Sequence, residues 1–160
     1  MKKFLALTIL SLICLFYLPK VYSHCQIPCG IYNDEMRFSM IEENILTIEK
    51  SIMEIKKLSG EPDKNYNQII RWVLNKEKHA DDIAHLVTFY FLSQRIKPVE
   101  EKDPESQKNY LAKLSLLHEM LVYAMKAKQT ADMSVVERLR SLLKSFRAAY
   151  FQKEADKHTH

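Results

Sequence analysis

Glycine is nearly missing from this chain: Gly30 and Gly60 are the two in 160 residues. Proline is sparse too, at Pro19, Pro28, Pro62, Pro98 and Pro104. With so few residues that interrupt regular backbone, long segments run unbroken. No stretch alternates apolar and polar residues as a half-buried strand would, and no internal repeat stands out. Cysteine is limited to Cys14, Cys25 and Cys29. A bridge between the last two would close a tiny loop, so disulfides are not what holds a domain together here. A large charge excess is also lacking: 24 Lys and Arg face 20 Asp and Glu, a formal +4 with His neutral.

What is present begins with a greasy N-terminus. Lys2 and Lys3 precede an apolar run from Phe4 to Leu18, followed by Pro19-Lys20-Val21-Tyr22-Ser23. That is the layout of a secretory signal peptide cut after Ser23. At about 15 residues the run falls short of the roughly 20 that a spanning helix needs, although an uncleaved anchor is the alternative. A lipoprotein signal does not fit, because His24 and not a small residue precedes Cys25. The expected organisation is therefore a signal peptide over 1–23 and one domain over 24–160, exported to the periplasm or outside the cell. Cleavage removes three lysines and leaves 21 basic against 20 acidic side chains, or +1. Nothing in that balance asks for nucleic acid, and steering of a small anion must be local.

From Asn33 onward the chain reads as four amphipathic helices. Asn33 or Asp34 caps the first, which carries Phe38, Ile41, Ile45, Ile48, Ile52 and Ile55 at spacings of three and four. Ser59-Gly60-Glu61-Pro62 ends it. A second helix is predicted from about Asn65 to Lys97, stopped by Pro98. Ile69, Ile70 and Val73 open its stripe; Ile83, Leu86, Val87, Tyr90 and Phe91 close it, with a polar interruption from Asn75 to Asp82. Asp103-Pro104 starts a third helix with Leu111, Leu114, Leu117, Leu121 and Met125 inward. Ser134 to Glu137 reads as a capping box for a fourth, with Val135, Leu139, Leu142, Phe146 and Tyr150 or Phe151 inward. The expected fold is all-α, an antiparallel up-and-down four-helix bundle.

The chemistry is concentrated ahead of the bundle, in His24-Cys25-Gln26-Ile27-Pro28-Cys29-Gly30-Ile31-Tyr32. A cut after Ser23 gives His24 a free α-amine, whose ordinary pKa is about 7.7–8.0. That amine and the Cys25 amide nitrogen can close a five-membered chelate ring, and the amide and thiolate of Cys25 another. Cys29 can fold back with a second thiolate, leaving the His24 imidazole for an axial position. Planar donors that include an amide nitrogen favour Ni(II) or Cu(II) over tetrahedral zinc. Pro28 and Gly30 permit the sharp reversal. Spacing and compartment alone leave metal binding and a Cys25–Cys29 disulfide equally open; a histidine at the new terminus favours metal.

This stretch resembles the nickel-binding hook of the nickel superoxide dismutase family, H-C-x-x-P-C-G-x-Y at the mature N-terminus. His24, Cys25, Pro28, Cys29, Gly30 and Tyr32 occupy every fixed position. The segments Arg71-Trp72, Asn75 to Ala80 and Arg95 to Pro98 are similar to one branch of that family. The resemblance implies a four-helix bundle assembling as a homohexamer, a nickel cofactor, and the disproportionation of superoxide to dioxygen and hydrogen peroxide. It implies nickel ligation by His24, Cys25 and Cys29, with Tyr32 near the open axial face. Gln26 stands where some members have Asp. Where some members hold the axial imidazole with an Arg and a Glu, the Arg position appears as His79, and Glu42 and Glu43 both compete for the other role. His85, His118, His158 and His160 are expected to do no metal chemistry. Two rival readings remain at this point: an exported Ni- or Cu-binding helical protein without turnover, and a helical bundle with a Cys25–Cys29 disulfide.

Overall fold

The computed structural model describes residues 30–99 and 103–155. Helix α1 spans Asp34–Leu58 and α2 spans Pro62–His85; α2 continues without a break into a π-helical segment, Leu86–Arg95. Helix α3 spans Pro104–Gln129 and α4 spans Ser134–Ala155. Each packs on the next and α4 returns to α1, closing an antiparallel ring of four. Within the described residues no helix is long and apolar enough to cross a membrane. The signal segment 1–23 lies outside the described residues.

The ends follow from local chemistry. The Asn33 side chain accepts a hydrogen bond from the Met36 N–H at 3.0 Å, satisfying a donor with no partner inside the helix. Asp103 does the same for Ser106 at 3.3 Å, with Pro104 in the first turn of α3. Pro62 opens α2, three residues earlier than the sequence pattern placed it. At α4 the expected capping box is not the device used. Ser134 is already helical, and the Asp132 carboxylate accepts from its N–H at 3.1 Å and its hydroxyl at 2.8 Å.

All six predicted core positions of α1 are buried, and so are Val135, Leu139, Leu142, Phe146 and Tyr150 of α4. Helix α3 differs. Leu111 and Met125 are about half exposed, while Leu117, Met120, Ala124 and Ala127 form its buried face. Of the predicted positions Leu117 is buried and Leu114 and Leu121 pack against the core, whereas Leu111 and Met125 lie on the flank. In α2, Ile70 is also exposed, and the buried part of the polar interruption is Lys76 and Ala80. The Lys76 ammonium donates to the backbone carbonyls of Ala127, Lys128 and Thr130, which end α3. A cation there satisfies carbonyls that the helix leaves open and faces the negative end of its dipole.

Four aromatic side chains fill the core at the end where α1 begins. The rings of Phe38 and Phe91 lie 5.0 Å apart, as do those of Phe91 and Phe146, with Tyr150 at 5.7 Å from Phe91. Phe38 of this cluster lies in the second turn of α1.

Candidate metal centre

His24, Cys25, Gln26, Pro28 and Cys29 lie outside the described residues. The base of the predicted hook is inside them. Gly30 has φ of 76°, the left-handed region that glycine enters without penalty. Among the described residues an added Cβ there would meet nothing within 4 Å, so the backbone conformation is what a substitution would strain. Tyr32 follows and is 41% exposed. It packs edge-on against Tyr90 at 6.0 Å, and the Arg95 guanidinium lies over its face at 4.3 Å.

Two residues on, Asp34 anchors the start of α1. Its carboxylate accepts from the Tyr90 hydroxyl at 2.6 Å, the Tyr150 hydroxyl at 2.8 Å and Arg95 Nε at 2.8 Å. It also accepts from Arg95 Nη2. Burial alone would raise the Asp34 pKa, but the bonds from Arg95, Tyr90 and Tyr150 outweigh it and hold the group below the ordinary carboxylate value. Burial and the Asp34 charge push Tyr90 up to about 12, and push Tyr150 up in the same direction. Both phenols therefore stay protonated donors.

Beside Tyr90, between α1 and α2, runs an open groove of about 530 Å³. His79, Glu43, Asp82, His85 and Arg37 line it. His79 Nδ1 lies 2.6 Å from Asn44 Oδ1 and 3.9 Å from Asp82 Oδ2. Assigned as Nδ1–H···Oδ1, the first contact leaves Nε2 as the ring's acceptor. Glu43 shares this groove with His79, whereas Glu42 lines a different one between α1 and α4. The geometry thus separates two carboxylates that the sequence left equivalent. Arg37 Nε is buried without a hydrogen-bond partner among the described residues, although its guanidinium lies 5.1 Å over the Tyr90 ring. His85 stacks on Phe89 at 4.6 Å, and His118 is exposed on α3. His158 and His160 fall outside the described residues.

Sequence reasoning missed the Asp34–Tyr90–Arg95–Tyr150 cluster. Asp34 was legible as a helix-start residue but not as the centre of three partners. Tyr90 and Arg95 are five apart, a spacing that an α-helix splays by about 140°. The π-helical segment, with the Ile96 N–H bonded to the Phe91 carbonyl at 2.8 Å, brings them onto one side.

Among the described residues no three His, Cys, Asp or Glu are arranged to hold a metal ion. The described bundle is thus a helical scaffold without a metal cluster of its own, and the cysteines that could bind metal precede it in sequence. The model of the nickel-containing superoxide dismutase family matches residues 19–154, and the chain belongs to that family. No curated relative and no solved structure matched it. Its cofactor is nickel and its reaction is the disproportionation of superoxide. The residues present fit the metal: the thiols of Cys25 and Cys29 would suit nickel, and Gly30 next to Cys29 has the φ that a turn there needs.

Proposed function

We propose that the nickel of this superoxide dismutase is held by His24, Cys25 and Cys29, exposed by cleavage after Ser23 in an exported protein. The observation that carries this reading is the complete motif His24 to Tyr32, joined to the bundle beside an open groove. When bound, nickel supplies the Ni(II)/Ni(III) couple that takes an electron from one superoxide and gives it to the next.

The chain's own groups divide the remaining work. The thiolates of Cys25 and Cys29 and the amide nitrogen of Cys25 are electron-rich donors that favour the higher oxidation state. The α-amine of His24 would be a further nitrogen donor, and its imidazole would be available to the same ion. Pro28 lies between the two cysteines and Gly30 directly after the second, and together they permit the sharp reversal of the hook. Tyr32 would limit access to the nickel site and order water beside it. Glu43 and His79 orient the His24 imidazole; their common groove supports this pairing over one with Glu42.

The family resemblance supports a homohexamer. Tyr66, Ile70 and Leu74, spaced by four along α2, are exposed and suit contact with another copy of the chain. Light scattering of the mature protein checks the number, and a monomer would overturn it.

The decisive experiment is N-terminal sequencing and metal analysis of the exported protein, followed by a superoxide assay. A chain beginning at His24 with about one nickel per subunit is expected. Cys25→Ser or Cys29→Ser removes both nickel and activity. A mature terminus elsewhere removes the amine donor and overturns the ligand assignment. A metal-free chain two hydrogens lighter would instead favour the Cys25–Cys29 disulfide.

A further inference from the structure

The Arg95 guanidinium grips the chain entering the bundle at two places. Its face lies 4.3 Å from the Tyr32 ring centroid, and its nitrogens bond the carboxylate of Asp34, two residues later. Nε also lies 3.0 Å from the Tyr150 hydroxyl, which ties the same cation to α4. Among the described residues the Tyr32 ring meets Arg95 and, edge-on, Tyr90, and the residue is 41% exposed. Arg95 itself is three-quarters covered, with 24% of its side chain exposed, and Asp34 offsets its charge. Arg95 is therefore poorly placed to attract superoxide and well placed to fix an aromatic ring. A planar cation can stack on a ring while donating in its own plane, which an ammonium cannot do.

We propose that Arg95 is a positioning residue for the dismutation: held by Asp34 and Tyr150, it clamps the Tyr32 ring and so sets where the phenol stands relative to the nickel site. The π-helical segment is part of the device, because it brings Arg95 into line with Tyr90 so that both reach Asp34. The inference rests on the assignment of Tyr32 to the open face of the site.

The test uses the mature, nickel-loaded protein with Arg95→Lys, Tyr32→Leu and the double variant. In Arg95→Lys the ring contact between Tyr32 and Tyr90, read by NMR in the nickel-free form, is expected to disappear. The Phe38–Phe91 contact, nickel content and helical circular dichroism persist. Turnover falls about tenfold to a hundredfold, the scale for a catalytic group displaced by an ångström. Tyr32→Leu, which leaves the Asp34–Arg95 pair untouched, falls by a similar factor, and the double variant falls no further. Persistence of the Tyr32–Tyr90 contact in Arg95→Lys overturns the clamp, whatever Tyr32 does. Multiplying losses in the double variant overturn it as well, since Arg95 would then act independently of the ring. Full turnover in Tyr32→Leu removes the role of Tyr32 itself, and the positioning inference falls with it.

Discussion

At the scale of single residues, Asp34 decides most. Its side chain is 12% exposed and accepts from two phenols and an arginine. Because its folded pKa is depressed, it contributes stability that is present above the unfolded value near 3.9 and is lost as pH falls through the lower folded value. Tyr90 carries the opposite sign. Its pKa is raised to about 12, so its contribution is complete below the unfolded value near 10 and is lost as pH rises towards 12. Asp34→Asn is expected to cost about 2–3 kcal/mol near neutrality, since the Arg95 cation then lacks its counter-charge. The same change should flatten both flanks of the stability–pH profile. Denaturant titrations from pH 2 to 11 check this; an unchanged acid limb would remove Asp34 as its source.

At the scale of elements, legibility tracked how local the cause was. Caps at Asn33 and Asp103 could be read because a side chain answers an N–H three residues on. The isoleucine stripe of α1 could be read because it repeats on one face. The inner face of α3 could be read only in part: Leu117 was legible, but Ala124 and Ala127 are small residues that a stripe of large apolar side chains does not reveal. The π-helical segment and the Asp34 cluster were hidden because their partners come from three helices. Lys76 shows this most clearly. In the sequence it is one charge in a polar interruption; in the fold it is buried and ends α3 from α2. Lys76→Met keeps most of the apolar stem and removes the donor for three carbonyls. It is expected to cost about 2–3 kcal/mol, or about 5–10 °C in melting temperature. Lys78→Met, which removes an exposed i,i+4 pair with Asp82, should cost less than about 0.5 kcal/mol. Equal losses in the two variants, by thermal melts followed by circular dichroism, would remove the capping role of Lys76.

At the scale of the whole molecule, metal site and fold are arranged in series along the chain. The proposed ligands, His24, Cys25 and Cys29, fall within six consecutive residues, and the buried core starts at Phe38. No pair of proposed ligands is brought together by packing of distant helices. This separates the protein from metal sites assembled by folding, where removing the ion unfolds the domain. A ligand stabilises a fold only by the excess of its affinity for the folded over the unfolded chain. Donors contiguous in sequence can chelate in both states, so that excess is small. Chelation of nickel from the mature protein should therefore abolish dismutation while leaving helical content unchanged and lowering the melting temperature by no more than about 5 °C. On the proposed roles of Glu43, His79 and Tyr32, what linkage there is would come from these side chains, which only the folded bundle holds in place. Nickel titration into the urea-unfolded mature chain gives the other half of the cycle and should show retained binding, weakened by the loss of those contacts. A fall of 20 °C on chelation, or no nickel affinity at all in the unfolded chain, would show that the bundle builds the site after all.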